Sequence, residues 1–522
     1  MKGSLTQSMS WLHTWCGLLL GWVLFAIFLT GTLAVFDKEL NWWMQPELID
    51  QGQSAAAAAD VAQRWLTEHH SDESKWTISL PTERAPDLRV SVGERRRGGG
   101  SGTTHLDPRT GDTVAARETI GGNFFFHFHY TLHMPRLLGI WVVGFAAMAM
   151  LVALISGIII HKKIFKEFFT FRPAKGQRSW LDAHNASAVL LLPFHLMITY
   201  TGLVIFFLIY MPAAIDALYD GDSQAFFSEA QPTWTTQQAL RGEGPDSQPV
   251  QATDAPLLAL REIVSRAEAH YGAGMIGTLA ISNPGRSNAF VTAWPVLGSR
   301  IELTKGDGIL SNGATGEVIH APKPSRPSQL TQRVMAGLHF AQFGGYSIRW
   351  LYFICGLVSC VMIATGLVLY TVKQRKQAKV NAHFLRLAEA LNVSVVAGLA
   401  LACVSLLWAN RLLPAELAAR QEWELRLFFG IWALSGLHGW LRKPLPAWRE
   451  QLSAAALLGV TLPLLNTLTT DTALDLTRLI TLATVAVLGL LCGWTAWKIP
   501  AVVAARKARA ARLDRPVAGA SS

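Results

Sequence analysis

Runs of about twenty apolar residues, repeated along the chain, restrict its fold more than any other feature. A bilayer core of roughly 30 Å needs a helix of about that length. Eight candidates occur, at about residues 12–36, 137–160, 185–210, 349–370, 390–410, 425–441, 452–468 and 476–499. They explain the composition, since 51% of the 522 residues are hydrophobic and only 16% charged, against about 25% charged in an average soluble domain. The first run reads as a spanning helix rather than a cleavable leader. It lacks a small-x-small cleavage site and continues through Leu33, Ala34, Val35 and Phe36 before its first acid, Asp37.

The net charge of +10 is placed as a membrane protein places it, which argues against a nucleic-acid partner. Basic residues collect at Lys162, Lys163, Lys166, Arg172, Lys175 and Arg178, then at Lys373, Arg375, Lys376 and Lys379. They recur at Arg442, Lys443 and Arg449, and from Lys498 to Arg515. These are alternate loops and the C-terminal tail, so the positive-inside rule predicts that both termini are cytoplasmic and that the lipid bilayer is the chain's surroundings. The long polar segments 37–126 and 211–337 then face the periplasm. The Arg95–Arg96–Arg97 run with its following Gly-Gly-Gly-Ser-Gly reads as a mobile loop. Cys16, Cys355, Cys360, Cys403 and Cys492 all fall in apolar spans and read as small buried hydrophobes, not a disulfide framework.

The first half of the chain repeats itself. Leu12 opens LHTWCGLLLGWVLFAIFLTGTLAVF and Ala183 opens AHNASAVLLLPFHLMITYTGLVIFF. Each has a His at its second position and reaches Thr-Gly seventeen residues later, His13 to Thr30 and His184 to Thr201. His133 precedes a span ending Ser156-Gly157, and His339 one ending Thr365-Gly366, with a slip of three residues between them. Both copies enter from the same side, as parallel repeats do. The polar segments also match. Each opens with a helical stretch (55–69 and 255–270), passes through alternating strand-like pieces (88–92 and 289–293), and ends in a turn, Asp107-Pro108-Arg109-Thr110-Gly111 or Asn312-Gly313-Ala314-Thr315-Gly316.

These patterns predict an α-helical polytopic membrane protein of about eight transmembrane helices. A tandem parallel repeat occupies the first four helices, and two small α+β periplasmic domains are enclosed by it. The segments are helix one (1–36), periplasmic domain one (37–126), helix two (127–161), a cytoplasmic loop (162–184), helix three (185–210), periplasmic domain two (211–337), helix four (338–371), a second cytoplasmic loop (372–389), a separate four-helix membrane module (390–499) and a basic cytoplasmic tail (500–522).

The paired helices with His and Thr-Gly, each repeat enclosing a domain, resemble the PepSY-associated transmembrane proteins. The likeness covers residues 1 to about 375. It is densest from His133 to Gly202, with His161-Lys162-Lys163, Trp180-Leu181-Asp182-Ala183-His184-Asn185 and Leu192-Pro193-Phe194-His195. The resemblance implies PepSY-like periplasmic domains and an inner-membrane ferric-siderophore reductase holding two b-type haems. Such a protein reduces Fe(III) at the periplasmic face and releases Fe(II) for iron uptake. Other PepSY-bearing proteins act on peptidases or as sensors, so family likeness alone leaves function open.

The histidines point to haem independently. An ionisable residue in a membrane helix is a functional candidate, and neutral imidazole is an axial ligand of haem iron. His13, His161 and His184 sit at the cytoplasmic boundary; His127, His129, His133 and His339 sit at the periplasmic one. The repeat makes His13/His184 one pair and His133/His339 another, whereas a single boundary histidine is as readily a headgroup contact. His195 lies eleven residues after His184, about 16 Å of rise and nearly on the same helix face. It is either a ligand at a second depth or a neutral imidazole bonded to a neighbouring carbonyl or a haem propionate. His161 has no counterpart in helix four, where Tyr370 stands, and is a substitute partner for His184 or a propionate contact. His133 ranks ahead of His127 and His129 because it has the repeat partner. The tryptophans near span ends (Trp11, Trp15, Trp42, Trp43, Trp141, Trp350, Trp408) read as an interfacial belt. His438 reads as a boundary histidine or as the border of a quinone or flavin contact.

No phosphate loop, His-Glu-x-x-His or Gly-x-Ser-x-Gly motif occurs, and no nicotinamide- or flavin-binding domain. The sequence therefore predicts a haem-dependent ferric-chelate reductase. Its partners are an electron donor (quinol or a cytoplasmic flavoprotein), a ferric-siderophore substrate and a periplasmic delivery protein. The rival is a haem-free regulatory or binding membrane protein acting on a periplasmic partner. A transporter is a weaker third, since the spans carry few carboxylates.

Overall fold

In a computed structural model, the described residues are 4–93, 102–161, 172, 176–230, 232–241, 252–298, 300–377 and 381–513. The arginine run 95–97, Lys162, Lys163, Lys166, Lys175, Lys379 and the tail beyond 513 lie outside them. The chain divides into two compact units. One contains Met1–Met44, Glu118–Tyr200 and Leu351–Ser522, the other Gln45–Arg117 and Thr201–Trp350.

Among the described residues, five helices are long and apolar enough to cross a membrane: Arg136–Ile160, Gly345–Gln374, Ala382–Leu412, Pro444–Thr469 and Leu476–Ile499. Two bent pairs raise the number to seven if each is one span. Leu5–Leu19 with Gly21–Ala34 bends by 60°, and Gln177–Leu190 with Leu192–Ile205 by 67°. The second bend falls just before Pro193, which has no N–H to continue the helical ladder. At the first, Gly21 lies so close to its neighbour that an added Cβ would stand 2.9 Å from Leu367 Cδ2.

Among the described residues the expected count of eight is therefore corrected to between five and seven. The segment 425–441 is helical within Arg420–Leu441, but Arg420, Glu422, Glu424 and Arg426 crowd its first two turns. Arg420 and Glu424 are both fully buried and form an ion pair at 2.6 Å. Glu424 also accepts from Thr119 Oγ1, Ile120 N and Asn410 Nδ2 at 2.8, 2.8 and 3.0 Å.

The C-terminal helices pack into the same core as the earlier ones. Leu399, Leu406, Phe428 and Leu462 share one hydrophobic core with Leu24, Phe25, Trp43, Phe124, Phe128, Met150 and Leu367. Trp22 Nε1 donates to Asn392 Oδ1 at 2.8 Å, and Asn392 Nδ2 donates in turn to Leu367 O at 3.2 Å. Cys355, Cys360 and Cys403 are buried thiols, Cys16 and Cys492 half-buried ones, and none is in a disulfide.

Among the described residues, the second unit holds an antiparallel sheet of eight strands: β1 Lys75–Ser79, β2 Leu88–Val92, β3 Thr103–Leu106, β4 Thr113–Val114, β5 Ile276–Ser282, β6 Phe290–Pro295, β7 Ile309–Asn312 and β8 Val318–His320. Their order is β4-β3-β2-β1-β5-β6-β7-β8. Two separate periplasmic domains are thus replaced by one sheet, joined where β1 pairs β5 with Ile78 opposite Leu279 and Trp76 opposite Ile281. The physical reason is an edge. Either group of four strands alone would leave a row of unpaired N–H and C=O groups on its first strand, and pairing removes both rows.

Helices Ala55–His69 and Leu260–Tyr271 contribute Ala58, Ala62, Leu66, Leu260, Ile263 and Val264 to the core over the sheet, against Ile78, Leu88, Val90, Leu279, Ile281 and Val291. The polar turns close by the same device. Asp107 Oδ1 accepts from Arg109 N and Thr110 N, and Asn312 Oδ1 from Ala314 N and Thr315 N.

Candidate functional site

The helix Leu5–Leu19 begins with a capping box, Ser4 and Gln7 satisfying each other's end of the first turn. Just over two turns in, His13 Nδ1 lies 2.9 Å from Ala153 O and 3.3 Å from Ser156 Oγ. Its ring rests on Gly157, where an added Cβ would stand 3.3 Å from Cε1. His184, on Gln177–Leu190, repeats the arrangement. Its Nδ1 is 2.8 Å from Met362 O, and a Cβ on Gly366 would stand 3.0 Å from its Cε1. In both cases the carbonyl lies four residues before the glycine. Arg172 holds the start of the second helix by donating Nε and Nη2 to Asp182 at 3.0 and 2.9 Å.

A backbone carbonyl only accepts, so each Nδ1 carries the proton and each Nε2 keeps its lone pair. The two rings stand 6.1 Å apart between centroids at an interplanar angle of 71°. Neither Nε2 has a hydrogen-bond partner among the described residues. Two imidazoles bonded to opposite sides of one first-row metal, at about 2.0–2.1 Å each, have centroids about 6 Å apart. The separation of the two rings is therefore long enough for one metal ion between two imidazoles. No group of three or more His, Cys, Asp or Glu side chains suited to a metal occurs among the described residues.

His129, which the sequence ranks behind His133, takes the same kind of seat. Its Nδ1 is 2.8 Å from Ile27 O, four residues before Gly31, and a Cβ on Gly31 would stand 2.5 Å from that nitrogen. In the sheet-bearing unit, His339 Nδ1 is 3.1 Å from Thr201 Oγ1, and a Cβ on Gly202 would stand 2.9 Å from its Cε1.

His133 has no glycine seat. It follows the left-handed end of Asn123–Thr131, with φ +51° at Leu132 and +58° at His133 itself. Its ring packs on Phe429 and Phe124, with centroids 5.3 and 6.1 Å away. The spacing held the signal: His129 and His339 lie 28 and 27 residues before Gly157 and Gly366, whereas His133 lies only 24 before.

His195 is fully buried, and its Nε2 lies 2.9 Å from Ser359 Oγ. That hydroxyl donates to Cys355 O at 2.8 Å, so the imidazole donates to it and this nitrogen has no lone pair to offer. His161 caps Arg136–Ile160, its backbone N donating to Gly157 O at 3.0 Å. His127 Nδ1 pairs with Tyr130 Oη at 2.8 Å. His438 has both ring nitrogens engaged, Nε2 with Glu450 at 2.8 Å and Nδ1 with Gln451 at 3.1 Å.

The apolar helices and the sheet-bearing unit together define a polytopic membrane protein with a large polar domain. Within that class, the PepSY-associated TM region family model matches residues 10–373, and the chain belongs to that family. No curated protein matches the chain.

Proposed function

We propose that this chain is an inner-membrane b-haem oxidoreductase that passes electrons across the bilayer to a ferric siderophore or similar ferric chelate in the periplasm. The observation that carries the reading is the His13–His184 pair, with both Nδ1 protons given to carbonyls and both Nε2 lone pairs directed away from them. Two features of the chain fit the group. The glycines at 157 and 366 leave space that a Cβ would fill beside each ring, and the Nδ1 hydrogen bonds fix the tautomer and raise the basicity of the ligating nitrogen. Bound haem supplies a one-electron Fe(III)/Fe(II) couple at a potential that its axial ligands and surroundings set.

The remaining residues take supporting roles. Ala153 O and Met362 O orient the two rings, and the Arg172–Asp182 pair fixes the helix bearing His184. His129 on Gly31 and His339 on Gly202 repeat the seat, each within its own unit, and each of them, like His133, is a candidate haem ligand. We read the four histidine–glycine seats and the β4-to-β1, β5-to-β8 strand order as a tandem repeat. His195, bonded to Ser359, is read as a buried polar strut, and His161 as a contact at the cytoplasmic boundary. By the positive-inside rule the termini are cytoplasmic. The donor is quinol or a cytoplasmic flavoprotein, since the chain has no dinucleotide-binding motif, and a periplasmic delivery protein supplies the chelate.

The test is reduction across a sealed bilayer. Proteoliposomes with a quinol donor and an external ferric chelate should form Fe(II) well above protein-free vesicles. A rate equal to the protein-free control would contradict the reading. The family and the broad sheet support a second reading, a haem-free membrane protein that binds or regulates a periplasmic partner. It predicts a colourless protein from haem-replete cells.

A further inference from the structure

A cleft of about 370 Å³ in the sheet-bearing unit is lined from helix Ala55–His69, the turn after β3, and helix Leu260–Tyr271. Its charged walls are Asp60, Arg64, Arg109 and Arg261, and Val61 and Pro108 give it an apolar side. Three guanidinium groups against one carboxylate leave a formal charge of +2.

Asp60 is already engaged. It is buried, accepts from Arg261 N at 3.0 Å, and pairs with the Arg261 guanidinium. Arg64 and Arg109 are exposed, and neither has a side-chain hydrogen bond or ion pair among the described residues.

The chain holds Arg109 in place. Asp107 Oδ1 accepts from its backbone N at 2.8 Å, and Gln51 Nε2 donates to Asp107 Oδ2 at 3.2 Å. Gly111 closes the turn at φ +88°, so close to the helix that a Cβ would stand 3.3 Å from Val61 Cγ1. The matching turn Asn312–Gly316 is different. There Arg266 donates to Gly316 O at 2.6 Å and lies 3.8 Å from Glu262, so its guanidinium is used within the protein.

We propose that this cleft binds a small oligocarboxylate anion, free or as its Fe(III) complex. Guanidinium forks pair with carboxylates through two parallel hydrogen bonds. Arginines from three separate elements suit a ligand with several carboxylates better than a compact single anion. The volume lies within the roughly 300–1,000 Å³ of small-molecule sites. Only the Fe(III) form rests on the reductase reading; the anion site stands without it.

The test is calorimetric titration of the full-length protein in detergent with citrate, with redox-inert gallium(III) citrate, and with inorganic phosphate. Saturable citrate binding that weakens with salt is expected. A loss of about tenfold or more should follow in the Arg64→Ala/Arg109→Ala variant at unchanged Tm. If that variant is unstable, Arg109→Gln alone should weaken binding in the same direction. The proposal is overturned by absence of saturable citrate binding, by variants that bind like wild type, or by phosphate binding as tightly as citrate. A visible spectrum of the same sample reports separately on haem, so a colourless protein that binds citrate would lose the reductase reading and keep this one.

Discussion

His13 and His184 stand edge to face with ring centroids 6.1 Å apart, each ring resting on a glycine and hydrogen-bonded to the carbonyl four residues before it. That relationship makes the two glycines as specific a requirement as the histidines.

Methyl groups at the glycines should act unequally. An added Cβ would stand 3.0 Å from His184 Cε1 at Gly366, but 3.3 Å from His13 Cε1 at Gly157. Gly366→Ala should therefore destabilise more than Gly157→Ala, by about 1–3 kcal/mol, the usual range for overpacking. Thermal unfolding in detergent checks the order, and equal Tm values for the two variants would contradict it.

The Arg420–Glu424 pair is fully buried. Glu424→Gln leaves the guanidinium uncompensated and should cost about 3–5 kcal/mol, whereas replacing both residues with apolar ones of similar volume should recover much of that loss. Denaturant unfolding of the two variants distinguishes these outcomes. A tolerated Glu424→Gln would mean that the pair is hydrated in solution.

One sheet predicts one transition. Ile78 is fully buried and pairs with Leu279 across the junction of β1 and β5. Ile78→Ala should cost about 2–5 kcal/mol and should weaken hydrogen-exchange protection in β6 as well as in β2. Loss confined to β1–β4 would indicate two independent domains.

His105, on β3 and outside the membrane helices, should make the sheet sensitive to acid. Burial holds its imidazole below the ordinary value. The carboxylate of Asp87, 3.6 Å away, and Glu47 pull the other way, while Arg89 adds to the depression. The unfolded imidazole, with pKa about 6.5, therefore takes its proton at higher pH than the folded one. Its contribution to stability is complete above that value and is lost as pH falls through the folded pKa. His105→Gln should shrink the fall in Tm between pH 7.5 and pH 5. An identical fall in the variant would contradict the assignment.

Local patterns made much of this architecture legible. Apolar runs marked the spans because a bilayer imposes a length, and the alternation in Leu88–Val92 marked a strand because a half-buried strand imposes a period of two. Asp107 and Asn312 announced their turns through side chains that accept from the following backbone N–H groups. The junction of β1 with β5 was not legible, because pairing across about two hundred residues leaves no periodic trace in either strand. The seat of His129 was legible in its spacing to Gly157, 28 residues against 27 from His339 to Gly366. The reason His133 has no such seat was not: the short helix before Arg136–Ile160 stops at Thr131, after which a left-handed Leu132 turns His133 toward Phe429. The buried Arg420–Glu424 pair was not legible either, since burial of a charge depends on partners elsewhere in the fold, here Thr119, about three hundred residues away, and Asn410.

The most direct measurement is the reduced-minus-oxidised visible spectrum of the purified protein, wild type beside His13→Ala and His184→Ala. The proposed function predicts a low-spin bis-histidine b-haem spectrum in the wild type. It also predicts loss of the same portion of that signal in each variant, with the remainder intact. A haem-free wild-type protein from haem-replete cells would contradict the reductase reading. A full signal in both variants would contradict the assignment of His13 and His184 as its ligands.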